Sequence, residues 1–373
     1  MIATRLLRRP RVVIVGFGDV ATRTIPLLTP RYRIVAMRRH AAPIAPVARR
    51  GTGPGDAATP SEGASPRHMP LPALASSTAD DALTRVSYVA GDLDARRSLR
   101  RAAALAASAF GVLYFAPPAP DGEADARTAR WITAVASVVA ARRAQGPHRR
   151  RFGGIVPDTP AAAAYRRGDR TLRAVYASTS GVYGDCGGAL VPETRVVSPS
   201  NARAVRRVDA ERKWRETSGL RRISNGASLR HRVAILRIPG IYAADRLPEG
   251  RLRDRMPALR ESDDVYTNHI HADDLATIAV RALTHGRPQR LYHASDDSRL
   301  RMGDYFDKVA DALRLPRAPR LPRDEAVKAL SPTMWSFMRE SRQLDNRRLH
   351  RELGVRLRYP DVDALLVTLA ART

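Results

Sequence analysis

RVVIVGFGDVA, spanning Arg11–Ala21, joins an apolar run, a turn and a helix start within one short stretch. Val12, Val13, Ile14 and Val15 are β-branched neighbours, the signature of a strand buried on both faces. The run ends at Gly16-Phe17-Gly18, and a helical pattern starts at Asp19. The spacing is G-x-G-x-x-A, with Ala21 third. Gly16 permits the tight turn, Gly18 lets a pyrophosphate approach the backbone, and Ala21 lets the helix pack close to the strand. The helix start then offers unpaired N–H groups and a positive dipole end to phosphates. The alternative is an ordinary strand–turn–helix without a ligand.

Working outward, the alternation continues. The first helix is expected from Asp19 to Leu28, with Pro26 ending or kinking it. Tyr32–Met37 reads as a second strand, Arg85–Ala90 as a third, Phe110–Phe115 as a fourth and Leu172–Ala177 as a fifth. Helical patterns cover Ser98–Ala107 and Ala124–Arg142, the latter with Trp131 and Val135 as core residues. Repeated strand–helix units of one polarity predict an α/β fold: a Rossmann-type, doubly wound parallel sheet with a small C-terminal α/β substrate lobe. The division expected is a nucleotide-binding domain over 1–235, then mainly substrate lobe over 236–373, interleaved with returning sheet elements. Two stretches, about 41–80 and 145–170, break the rhythm and are rich in small or basic residues; they read as flexible insertions.

The residues after the second strand bear on cofactor choice. An NAD site places a carboxylate there to bond the ribose hydroxyls. This chain has Arg38 and Arg39, which would repel nothing and could grip a 2′-phosphate. NADP is therefore expected, with NAD as the alternative if these are merely two of many arginines. Further cofactor contacts are expected where strands end. Phe17, Asp19 and Val20 flank the glycines, Asp92 and Leu93 follow the third strand, and Ala116 and Pro117 follow the fourth.

Composition bounds the rest. The chain of 373 residues carries a formal charge of +27 and is 44% hydrophobic. Lysine occurs only at Lys213, Lys308 and Lys328, so nearly all the positive charge is arginine spread along the chain. No nucleic-acid motif accompanies it, and a dedicated nucleic-acid role is not expected. No apolar run is long enough for a membrane span. The basic start, MIATRLLRRPR, lacks the apolar core of a secretory signal, and a cytoplasmic location is expected. Cys186 is the only cysteine and reads as incidental. His269 and His271 would share a strand face, but a metal site needs further ligands; none is expected, and Asp273 reads as a helix N-cap. Arg342, Arg347 and Arg348 are candidates for an anionic substrate.

Ser178-Thr179-Ser180-Gly181-Val182-Tyr183-Gly184 places hydroxyls at the end of the fifth strand. This segment resembles one in the extended short-chain dehydrogenase/reductase superfamily, which holds the nucleotide-sugar epimerases and dehydratases. The glycine turn, Asp92-Leu93, Leu236–Tyr242 and His269–Ala276 resemble its other landmarks in the same order. The resemblance implies that Thr179 bonds the reacting oxygen, that Ser178 and Pro239 lie beside the nicotinamide, and that a Tyr-x-x-x-Lys pair follows on the next helix. That pair is absent. The residues four before the three lysines are Asp209, Asp304 and Asp324. In the expected helix, Ser200–Trp214, the tyrosine position falls within a residue of Ala202 and the lysine position on Arg206 or Arg207. Arginine stays protonated and cannot replace a titrating phenol, which leaves Tyr183 as the nearest alternative acid. The resemblance thus implies an atypical oxidoreductase or epimerase/dehydratase-like protein for a small polar metabolite. The alternative is a cofactor-binding sensor or scaffold without catalysis. A homodimer is compatible with either.

Overall fold

The computed structural model describes residues 9–39, 81–144, 172–217 and 231–371. Both expected insertions, 41–80 and 145–170, lie outside the described residues. Seven parallel strands form the central sheet: β1 (Arg11–Val15), β2 (Arg33–Arg38), β3 (Val86–Ala90), β4 (Gly111–Tyr114), β5 (Leu172–Thr179), β6 (His231–Ile238) and β7 (Arg290–His293). From one edge their order is 3-2-1-4-5-6-7. The order reverses at β1, which pairs with β2 on one side and β4 on the other. Val13 faces Val35 and Val112 across those two ladders.

The period of two along β1 builds both layers of the core. Val13 and Val15 join one apolar cluster with Trp131, Val135 and Trp214. Val12 and Ile14 join the other with Ile25, Leu275 and Ile278. The first face is covered by α2 (Arg100–Ala106), α3 (Ala126–Ala144) and α4 (Ala202–Thr217). The second is covered by α1 (Asp19–Leu28) and α5 (Ala272–His285). All four apolar residues of β1 are fully buried, as a strand between two helical layers requires.

Helix α1 spans Asp19–Leu28, the expected range, with Pro26 in its last turn, where little helix remains to be disrupted by the missing N–H. One local expectation changes. Asp273 does not cap α5. The cap is His271, whose Nδ1 accepts the Asp273 N–H at 3.2 Å. Asp273 lies one step inside the helix, and its carboxylate accepts from Arg23 of α1 at 2.6 Å.

Beyond the sheet, α6 (Met302–Ala312) buries Tyr305, Phe306 and Val309 against Tyr242, Leu252, Val362 and Leu365. Short parallel strand pairs attach this region to the sheet edge: Gly240–Tyr242 with His269–His271, and Leu190–Val191 with Gln343–Leu344. The second pairing matters for the site, because it carries Glu340 and Arg342 to the end of β5.

Candidate functional site

The loops after β1 and β4 meet where the strand order reverses, the position at which open parallel sheets bind ligands. Gly16 has φ +88°, and a Cβ there would lie 2.4 Å from the Ala116 nitrogen. Only glycine lets the two loops cross so closely. Gly18 differs: nothing lies within 4 Å of where its Cβ would be. It is exposed, has an ordinary extended φ of −116°, and precedes α1. The empty space beside it lies at a helix N-terminus, so the residues present fit a pyrophosphate.

A crevice extends from this point in both directions. Toward β2 and β3 it forms a cavity of about 270 Å³ bordered by Phe17, Arg38, Arg39, Asp92, Leu93 and Pro117. Toward β5 and β6 it widens to about 670 Å³, bordered by Asp19, Val20, Ser178, Thr179, Arg207 and Pro239. Gly16, Phe17 and Pro117 border both cavities. The structure therefore brings the residues expected to hold a dinucleotide to one continuous surface.

At the β2 end, the Arg38 guanidinium lies 4.4 Å from the Phe17 ring centre and 4.2 Å from that of Tyr88. Two aromatic faces fix its plane by cation–π attraction. Among the described residues it makes no hydrogen bond or ion pair. Arg39 is 65% exposed at its side chain and pairs loosely with Asp92 and Asp94, at 3.8 and 3.7 Å. Asp94 is held more firmly by Arg127, at 2.5 Å, which lowers its carboxyl below the usual range. Three guanidinium groups, those of Arg39, Arg127 and Arg130, thus surround two carboxylates.

At the β5 end, Thr179 is half-buried. Its Oγ1 accepts the Gly181 N–H at 3.3 Å, so its own O–H remains available to a ligand. Ser178 lies deeper, 4% exposed, and donates to Glu211 at 2.6 Å. Glu211 also receives two bonds from Arg237, at 3.0 and 2.7 Å. Ser178 therefore presents its backbone to the crevice and spends its hydroxyl on a buried ion pair.

Tyr183 does not reach the crevice. It is 1% exposed, and its hydroxyl lies 2.6 Å from His293 Nε2. His293 Nδ1 faces the Asp345 carbonyl at 2.8 Å, so Nδ1 carries the proton and Nε2 accepts from Tyr183. Burial pushes the phenol up to about 12. The turn after β5 rotates this side chain into the core, which removes Tyr183 as a proton donor to a ligand.

Of the two α4 arginines that the sequence left open, the structure separates Arg207 from Arg206. Arg206 turns away and bonds the Gly122 carbonyl at 2.8 Å. Arg207 borders the crevice and donates to the Ala177 carbonyl at 2.7 Å and the Tyr176 hydroxyl at 3.1 Å. One turn earlier stands Arg203, which sequence reasoning missed. It borders both the crevice and a further cavity of about 640 Å³. Arg203 and Arg207, spaced R-x-x-x-R, thus stand together on one wall of the crevice. The signal was available in the spacing, one residue from the predicted position.

The further cavity starts at Thr179 and is closed by Tyr266, Asn268, His269, Phe337, Glu340 and Arg342. His269 stacks on Tyr305 with ring centres 4.0 Å apart, and burial lowers its imidazole to about 4. It is neutral at pH 7. Among the expected anion-binding arginines, Arg342 lines the cavity. Arg347 pairs with Asp345, and Arg348 donates to the Leu291 carbonyl. No group of three or more metal-ligating side chains occurs among the described residues, and no helix there is long and apolar enough to cross a membrane.

No protein-family model and no curated protein matches this sequence. Solved structures do match. A conserved protein of unknown function from Silicibacter pomeroyi is 22% identical, with a TM-score of 0.63, over 97% of this chain and 98% of that one. The dTDP-glucose 4,6-dehydratase DesIV of Streptomyces venezuelae, solved as a double mutant with NAD bound, is 16% identical, with a TM-score of 0.60, over 97% and 96%. A UDP-glucose 4-epimerase is 14% identical, with a TM-score of 0.58, over 95% of each chain. At these identities the likeness is one of architecture, and the chain has the Rossmann-type fold of the nucleotide-sugar epimerases and dehydratases.

Proposed function

We propose that the crevice holds NADP(H) and that the adjoining cavity takes a small polar carbonyl or hydroxyl compound, making the protein an atypical oxidoreductase of the epimerase/dehydratase type. One observation carries this reading. A single surface runs from the sandwiched Arg38, past the open space at Gly18, to Thr179, where the second cavity begins. The dehydratase neighbour with NAD bound supports a dinucleotide in a crevice of this fold. Arg38 and the surplus of guanidinium groups around Asp92 and Asp94 support the extra phosphate of NADP.

When bound, the nicotinamide supplies or accepts hydride. The residues of this chain do the rest. The free O–H of Thr179 bonds the reacting oxygen. Arg203 places positive charge at the same wall, where an oxygen gaining negative charge is stabilised. Neither group can take a proton at neutral pH, and Tyr183 is out of reach. In either direction of hydride transfer, the proton therefore passes between the reacting oxygen and water.

A second reading is favoured by the absence of a Tyr-x-x-x-Lys pair: a protein that binds the cofactor and a ligand without turnover. The two readings separate by following NADPH oxidation across a panel of aldehydes and ketones. Turnover that is lost in Thr179→Val supports the reductase. NADPH binding with no turnover of any panel member supports the sensor.

A further inference from the structure

The cavity beside Thr179 has an unusual balance of charge. Three charged side chains line it: Arg203, Glu340 and Arg342. Glu340 is 7% exposed and fully engaged, bonding the Ser200 hydroxyl and receiving Arg342 Nη1 at 2.7 Å. Arg342 also donates to the Gly184 carbonyl at 2.7 Å. These two charges cancel. Arg203 makes no hydrogen bond or ion pair among the described residues. Arg203 is exposed, so water solvates it until an anion takes that place, and its guanidinium carbon lies 5.5 Å from the centre of the exposed Phe337 ring.

Two further features point the same way. Arg203 lies in the first turn of α4, whose start borders the cavity at Asn201 and Ala204. The positive end of the helix therefore adds to the guanidinium charge. His269 lines the same cavity, is 7% exposed, and has an Nδ1 without a partner. An uncharged imidazole leaves Arg203 as the uncompensated charge.

We infer that the ligand of this cavity is a small carbonyl compound bearing an anionic oxyacid group, carboxylate or phosphate, gripped by Arg203 beside Thr179. This rests on the reading of the Thr179 cavity as the substrate site and narrows its substrate class. A planar guanidinium presents paired N–H donors that match either oxyacid. A neutral polyol would leave that charge unanswered. The position is also specific: Arg203 and Thr179 border the same cavity, so the anion lies next to the reacting oxygen rather than at a distant end of the ligand.

The test is ligand-observed NMR binding at millimolar concentration with three probes: pyruvate, dihydroxyacetone phosphate and dihydroxyacetone. The first two carry the two anions, and the third is the neutral frame of the second. The expected result is binding of at least one anion and weaker binding of the neutral triose. Arg203→Ala should weaken the anion about tenfold or more, Arg203→Lys should recover part of that loss, and added salt should weaken what remains. Pyruvate and dihydroxyacetone phosphate together tell carboxylate from phosphate. Equal binding of the neutral triose, anion affinity unchanged in Arg203→Ala, or no anion binding to the wild-type protein would each overturn the inference. NADPH titration of the same wild-type sample separates the two layers. Failure of NADPH to bind sinks the cofactor reading, whereas NADPH binding without discrimination between anion and neutral frame sinks this inference alone.

Discussion

Gly16 and Gly18 sit two positions apart and do different work. Gly16→Ala would put a Cβ against the Ala116 backbone at a positive φ. Its cost is in folding, roughly 1–3 kcal/mol, read as a lower midpoint in urea. Gly18→Val meets no protein atom within 4 Å at its Cβ. The urea midpoint should stay nearly unchanged while the side chain fills the space a pyrophosphate needs, so cofactor binding is lost. Equal effects of both changes on stability would contradict this division. Asp296 offers a pH test. It is 3% exposed, its Oδ2 has no partner, and burial raises its carboxyl to about 7. Because the folded value lies above the unfolded one near 3.9, Asp296 lowers stability progressively as pH rises from about 4 to 7. Asp296→Asn removes that decline and keeps an oxygen for Ser298. The variant should therefore gain more stability relative to wild type at pH 8 than at pH 4. The same difference at both values, from chemical denaturation, would refute the assignment.

At the scale of elements, the strands and their glycine turn were legible because short-range patterns encode them. Four consecutive β-branched residues needed no partner to be recognised as β1. Side-chain direction was less legible. The spacing V-Y-G placed Tyr183 near the site but not its rotation, which the turn after β5 and the hydrogen bond to His293 determine. The same limit left Arg206 and Arg207 both open and did not single out Arg203: one residue of helical register moves a side chain by about 100°. Glu340 was not expected at the site, and nothing local set Arg342 apart from Arg347 and Arg348; Glu340 and Arg342 reach the cavity through pairing of Gln343–Leu344 with Leu190–Val191. The buried pair Glu211–Arg237, which joins α4 to β6 beneath Ser178, makes a separate prediction. Arg237→Met strands a carboxylate that is 1% exposed and should cost on the order of 3–5 kcal/mol. Thermal unfolding within a degree of wild type would show that the pair contributes little.

At the scale of the whole molecule, the high positive charge comes from arginines spread along the sequence, and several of them are locally paired, as at Arg290–Glu352, Arg320–Asp307 and Arg317–Asp311. Charge alone says little about function here. What the fold contributes is one crevice along the C-terminal ends of the strands, with an open glycine at a helix start at its centre, an aromatic-held arginine at one end and the unpaired Arg203 at the other. The measurement that tests this account most directly is a titration of the purified protein with NADPH and with NADH, followed by nicotinamide fluorescence, in wild type and Arg38→Ala. The account predicts that NADPH binds more tightly than NADH and that Arg38→Ala removes about 10- to 100-fold of that preference, the worth of one or two charge-assisted bonds. Binding of neither nucleotide to a folded protein would contradict it.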